Sequence, residues 1–272
     1  EGYNADEIPA YAFGREAWSE EFRSYLVYFS FPEKVKKIGR YAFSGTMLSG
    51  ALVIPDDVEV IEEGAFQSTN ISSLELPHHL KTIGHGAFSD CSSLSGGLYL
   101  PETLESLGSS AFYNCKLLSG PLAIPSKIKE IPSSCFSNCG FNGDLTIPEG
   151  VKKVGGSAFG WCSQLNGRLS LPISLKEIGG SAFSGCGFQG ELVIPRELQT
   201  IPNYCFSDNQ FSSIVFAEDS ELLKIDNGAF SSNWRLTEPI ELPKELLTIG
   251  SYAFSYCRTI PKIVIPASVT TI

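Results

Sequence analysis

Leu76-Pro77-His78-His79-Leu80-Lys81-Thr82-Ile83-Gly84-His85-Gly86-Ala87-Phe88-Ser89-Asp90-Cys91 decides the fold, because its skeleton returns along the whole chain. A Phe, usually preceded by Ala, stands at Phe43, Phe66, Phe88, Phe112, Phe136, Phe159, Phe183, Phe206, Phe230 and Phe254, always 22, 23 or 24 residues from the last. Upstream of each Phe runs Pro-x-x-(Val/Leu/Ile)-x-x-(Ile/Leu/Val), as in Pro32-x-x-Val35-x-x-Ile38 and Pro243-x-x-Leu246-x-x-Ile249. Before each Pro lies a short alternating run such as Leu52-Val53-Ile54 or Leu192-Val193-Ile194. A unit this small cannot bury its own apolar face, so stacking of neighbours must create the core.

The spacing separates rigid from variable parts. From Pro to the next Phe is 11 residues in nearly every unit, whereas Phe to the next Pro varies from 11 to 13. Packed segments hold their length and loops absorb variation. The Leu-x-Ile run has period two and reads as a strand, with Leu and Ile inward. Strands of successive coils pair in parallel, and Pro closes each one, as it is tolerated at a strand margin. The Gly-x-x-Ala-Phe segment reads as a helical or 3₁₀ turn. One unit departs: Ala217 replaces Pro and two extra residues precede Phe230, which suggests a local bulge.

The motif Leu76-Pro77-x-x-Leu80-x-x-Ile83-Gly84-x-x-Ala87-Phe88-x-x-Cys91, repeated at Leu171-Pro172 through Cys186, resembles the BspA-like, or Treponema-type, leucine-rich repeat. The fold class expected is therefore a leucine-rich-repeat solenoid. It is a β-rich right-handed coil stack with a parallel sheet on one face, short helical or 3₁₀ turns and about 11 repeats of 22–24 residues. The resemblance implies surface-exposed or secreted proteins of bacteria and some protists, linked to adhesion to host proteins and other cells.

Two segments are set apart. Residues 1–31 read as an irregular first coil with a helical N-terminal cap. Ile8 to Phe13 repeats the offset of Ile38 to Phe43, and Trp18, Phe22, Tyr25 and Leu26 fall at helical spacing among charged residues. A partner-binding helix is the sharper alternative there. Residues 32–272 form the solenoid proper. It is expected to be truncated mid-repeat, because Val269-x-x-Ile272 matches Val35-x-x-Ile38 and then stops.

Charge excludes some partners. A net charge of −10 and a pI near 4.9 argue against nucleic acid and against anionic lipid surfaces. No run approaches the roughly 18 apolar residues of a membrane helix. Six of the eight cysteines lie three residues after the repeat Phe, in a column that takes Asn at Asn209 and Asn233 and Thr at Thr46 and Thr69. Such a column wants a small side chain that hydrogen-bonds loop backbone, so reduced, buried thiols are expected rather than disulfides or a metal site. His78, His79 and His85 are the only histidines, and no nucleophile–base grouping, phosphate loop or metal-ligand spacing appears. Neither a cofactor nor an enzyme activity is expected.

Binding is expected on the outward positions of the strand face. The column before the strand Leu reads Ala51, Ser73, Gly97, Pro121, Asp144, Arg168, Glu191, Ser213, Pro239, Lys262. The column after it reads Val53, Glu75, Tyr99, Ala123, Thr146, Ser170, Val193, Val215, Glu241, Val264. Most are small, which permits close approach of a broad partner and equally suits a bland sheet surface. Asp144, Arg168 and Glu191 come from successive coils, as a charge ladder would require. Tyr99 and Arg168 are of the residue types enriched at interface hot spots, and with Asp144, Thr146 and Glu191 they form the candidate binding set. Trp161 and Trp234 are either partner anchors or loop packing. The chain thus reads as a cell-surface or secreted module binding an extracellular protein or glycan. The alternative is a structural spacer that presents another domain and has no ligand of its own.

Overall fold

The computed structural model describes residues 6–15, 24–32 and 34–272. It divides into two compact units, Glu1–Ile128 with Cys135–Gly140, and Lys129–Ser134 with Phe141–Ile272. Each unit is a β-solenoid built from the repeat. Most of the N-terminal helix expected from the sequence falls at residues 16–23, outside the described residues. Tyr25 and Leu26, its described part, carry no regular structure.

The repeat Phe is the axis of each coil. In the first unit Phe43, Phe66, Phe88, Phe112 and Phe136 stack with centroids 5.1, 5.3, 5.2 and 5.8 Å apart and planes within 6° of parallel. In the second unit Phe159, Phe183, Phe206, Phe230 and Phe254 stack 5.3, 5.8, 5.6 and 5.3 Å apart. These separations follow the roughly 4.8 Å spacing of paired strands. Parallel rings at such distances are offset rather than eclipsed, the arrangement their quadrupoles favour. The Val/Leu and Ile of each coil fill the remaining interior: Val58, Ile61, Leu80 and Ile83 are all fully buried.

Two parallel ladders run along the coils where the sequence pointed to one. The expected strand face pairs Ser49–Val53 with Asn70–Glu75 in the first unit and Gln189–Ile194 with Gln210–Phe216 in the second, each with one register shift. A second ladder is formed by the residue pair ending at the repeat Ile. In the first unit it joins Glu7–Ile8, Lys37–Ile38, Val60–Ile61, Thr82–Ile83 and Ser106–Leu107 in register. Each of these strands is only two residues long, too short to announce itself by alternation. The strand face has a gap: Leu98-Tyr99-Leu100 and Leu122-Ala123-Ile124 keep inward Leu and outward Tyr99 and Ala123 but are not bonded as strands. Pro121 contributes to this, since it has no N–H to donate to the preceding coil.

The turn before and after Phe corrects the helical expectation: no helix occurs among the described residues. Bonding alternates instead. The N–H groups of Tyr41, Phe43 and Gly45 donate to the next coil, at the carbonyls of Glu63, Ala65 and Gln67 (2.8, 2.7 and 2.8 Å). Those of Ala42, Ser44 and Thr46 donate locally to Gly39, Tyr41 and Phe43 (3.2 Å each). The second unit repeats this at Ser157, Phe159 and Trp161. Alternation requires a left-handed residue two positions before and two after each Phe, and all these positions have positive φ, from Tyr41 (51°) to Tyr256 (60°). A helix would direct every N–H along the chain and leave nothing to join the coils.

The two extra residues before Phe230 do not disturb the strand. Phe216 still pairs with Ile194, and the surplus is taken up in the turn where Ser220 N–H donates to Ala217 (3.0 Å).

Truncating a stacked ring leaves a cavity that parallel neighbours cannot collapse into. Phe88→Ala should therefore cost about 3–5 kcal/mol. Hydrogen exchange should show lost protection concentrated in the first unit. Unchanged exchange at Ala87 and Ala111 would contradict the stacking account.

Candidate binding surface

The five candidate residues are all exposed, and they fall in different units: Tyr99 in the first, Asp144, Thr146, Arg168 and Glu191 in the second. In the second unit, Leu145 pairs with Leu169 and Thr146 with Ser170, so Asp144 and Arg168 are neighbours across the ladder. The charge ladder is not formed, however. Asp144 Oδ1 accepts the backbone N–H of Arg168 at 2.7 Å, and no ion pair joins Arg168 to Asp144 or Glu191. A short Asp side chain reaches the amide of the adjacent coil more easily than a distant guanidinium. The Arg168 side chain runs instead beside Gly190, where an added Cβ would meet its Cγ at 3.7 Å.

In the first unit, Ala51, Ser73 and Gly97 floor an open groove of about 500 Å³ walled by Val53, Glu75 and Tyr99. Tyr99 is the most exposed large apolar side chain among the described residues, at 84%. Its ring lies beside Gly97, so close that a Cβ there would stand 3.3 Å from Cε2 and Oη. At one end His78 Nδ1 meets Asp56 Oδ1 at 3.0 Å. The hydrogen bonds from the His78 ring and backbone hold the Asp56 carboxyl below its usual value. Among the described residues no group of three or more His, Cys, Asp or Glu is placed to hold a metal ion.

The opposite ladder carries a device that sequence reading missed. Lys37 bridges Glu7 (3.2 Å) and Glu62 (2.8 Å), and Lys81 meets Glu59 at 2.6 Å. In the second unit Lys153 lies between Glu130 and Glu177, Lys176 meets Glu197, and Arg196 meets Asp219 and Glu221. Such exposed pairs add little stability each. Their consequence is that this face neutralises itself. The signal lay in charges of opposite sign one repeat apart, a separation invisible without the register.

Trp161 and Trp234 are 63% and 51% exposed. The Trp161 ring covers Gly185 of the next coil, and Arg235 sits over Trp234 at 4.6 Å. Both combine loop packing with an open ring face.

The cysteine column behaves as its composition suggested. Cys91, Cys115, Cys139, Cys186 and Cys257 each donate to the repeat Phe carbonyl of the preceding coil, at 3.0–3.2 Å. Thr46 and Thr69 donate to the carbonyl of their own Phe, while Asn209 and Asn233 reach both. None of the eight cysteines forms a disulfide. Burial pushes the Cys91 thiol up to about 11 and those of Cys115, Cys186 and Cys205 well above the ordinary value.

A family model for the BspA-type leucine-rich repeat region, six copies, matches residues 6–142, 129–239 and 152–272. Among solved structures, a leucine-rich repeat protein from Bacteroides ovatus aligns at TM-score 0.77 and 25% identity. The alignment covers 98% of this chain, which spans 66% of that one. A leucine-rich repeat protein of T. pallidum aligns over 66% of this chain and 69% of its own at 24% identity, with TM-score 0.43. A leucine-rich cell surface protein from Faecalibacterium prausnitzii aligns over 84% and 69% at 21% identity, with TM-score 0.41. No curated protein of described function matches significantly.

Thiols held neutral by burial stabilise the fold fully below their ordinary value of 9.0, where folded and unfolded chains are both protonated. As pH climbs from 9.0 toward about 11, the unfolded chain ionises first, so stability falls. Denaturation midpoints should drop through that window, and the drop should shrink in a Cys91→Ser, Cys115→Ser double variant. At neutral pH a thiol reagent should label Cys257 before any other cysteine. Fast labelling of Cys91 in the native chain would contradict this placement.

Proposed function

Because the chain belongs to the BspA-type leucine-rich repeat family, we propose that it is a cell-surface or secreted binding module. It engages an extracellular protein or glycan through the strand face of its coils. The observation that carries the reading is the contrast between the two ladders. The face bearing Lys37, Lys81, Lys153 and Lys176 is covered by its own ion pairs. On the strand face, by contrast, the Tyr99 ring is largely exposed and the Arg168 guanidinium has no ion-pair partner among the described residues. Within each unit, small residues in the outward columns let a broad partner approach closely, and aromatic and Arg side chains supply the anchors. A surface or secreted setting accords with the repeat family, and no helix among the described residues is long and apolar enough to cross a membrane.

Immobilised protein should bind saturably to at least one member of a panel of extracellular-matrix proteins and glycans. Tyr99→Ala or Arg168→Ala should each weaken that binding about tenfold, the usual scale of a hot-spot truncation. Both side chains are exposed, so circular dichroism should stay unchanged. Binding untouched by either variant moves the site off the strand face. An empty panel favours the spacer reading.

A further inference from the structure

We propose that the groove of the first unit captures the arginine side chain of an extended segment of a protein partner, with the guanidinium between the Tyr99 ring and the Glu75 carboxylate. The proposal rests on the strand-face reading and gives it a chemical class. Glu75 and Tyr99 occupy the same outward column in successive coils and line the same groove. Because both line one groove, the two side chains flank a single site. Among the described residues the Glu75 carboxylate has no ion-pair or hydrogen-bond partner, unlike Glu59, Glu62 and Glu105 on the other ladder. Tyr99 offers an open ring face, and a cation over such a face is attracted by its quadrupole.

No Lys or Arg stands in either outward column of this unit: Ala51, Ser73, Gly97 and Pro121 form one, Val53, Glu75, Tyr99 and Ala123 the other. The local field is therefore negative, within a chain of net charge −10, and it draws a cationic segment. The floor of Ala51, Ser73 and Gly97 leaves room for an extended backbone. Arginine fits better than lysine because its planar guanidinium stacks on a ring and meets a carboxylate with two parallel hydrogen bonds.

The test titrates the full chain at low salt with a blocked serine–arginine peptide, its glutamine counterpart and a neutral oligosaccharide. The arginine peptide should bind saturably and weaken with added salt. Tyr99→Ala and Glu75→Gln should each lower its affinity about fivefold or more, while Tyr99→Phe retains it. Glu245→Gln, a charge of the second unit, should change nothing. Equal loss in Glu245→Gln, equal binding of the glutamine peptide, preference for the saccharide, or no binding would each overturn the proposal. A protein ligand that loses affinity with Tyr99→Ala but not with Glu75→Gln would overturn the arginine site and leave the strand-face reading standing.

A separate observation identifies a modification site. The chain has three Asn-Gly pairs, at Asn142, Asn166 and Asn227. The Gly167 N–H donates to Gly143 (3.0 Å) and the Gly228 N–H to Ser251 (3.0 Å), whereas the Gly143 N–H has no acceptor among the described residues. Asn227 is further held by Ser251 N–H on its Oδ1 at 2.9 Å. We infer that Asn142 alone deamidates in the folded protein. The Gly143 nitrogen loses its proton and attacks Asn142 Cγ, ammonia leaves, and a succinimide closes. Water then opens the ring to aspartate or isoaspartate, placing a second carboxylate beside Asp144. Peptide mapping after prolonged incubation at mildly alkaline pH should find a mass gain and isoaspartate at Asn142 only, and at all three sites in denatured chain. Equal conversion of Asn166 in the folded protein, or none at Asn142, would overturn the inference.

Discussion

The alternation of backbone hydrogen bonds around each repeat Phe is the constraint on which the other features depend. A coil must turn a corner at Ala-Phe and still bind its neighbours. Giving Phe43 N–H to Ala65 and Ala42 N–H to Gly39 achieves both, at the cost of left-handed residues on either side. An L-residue in that conformation costs about 1–2 kcal/mol, and each coil carries one or two, glycine taking the other position where there is one. The inter-coil bond made at most of these residues offsets the strain, which is why Ser, Asn, Asp, Tyr and even Trp161 occupy positions where glycine alone would be unstrained.

The same geometry explains the polar column three residues after Phe. The Phe carbonyl faces the interior, where a single local N–H does not use both of its lone pairs. Cys91 and Thr69 both supply a second donor to Phe66, and Asn209 spans the carbonyls of Phe183 and Phe206. Cys, Thr and Asn interchange because each places a small donor at that spot. A thiol so engaged and so buried is a structural hydrogen-bonding group, and its raised pKa is a by-product of burial.

Much of this was legible in the sequence because it is written in side-chain volume. The Phe period, the inward Leu and Ile and the donor column all reflect core packing, which only a few residue types satisfy. Other features were not legible because they live in the backbone or in the register. A two-residue ladder such as Thr82–Ile83 has no period to detect. Left-handed Ser110 or Ser157 looks like any loop serine. The pairing of Lys153 with both Glu130 and Glu177 appears only once coils are laid side by side. The charge ladder fails for the opposite reason: register makes Asp144 a neighbour of Arg168, but the backbone amide is the nearer donor. Tyr99 could be placed outward by alternation alone, even though its segment is not bonded as a strand.

In a stack of near-identical coils, recognition has to come from departures from the repeat. Buried columns cannot depart, because every Phe or Ile is held by the coils on both sides. Outward columns can, and their two faces have done so differently. One has matched several cations, Lys37, Lys81, Lys153 and Lys176 among them, to acids in the adjoining coils. The strand face of the first unit has kept one column small at Ala51, Ser73 and Gly97 and in the other has set a carboxylate, Glu75, beside an aromatic ring, Tyr99. A partner that read only the repeat would bind anywhere along the ladder. One that needs a ring and a charge in adjacent coils has a single register in the first unit, so the fold supplies the area and two residues supply the address.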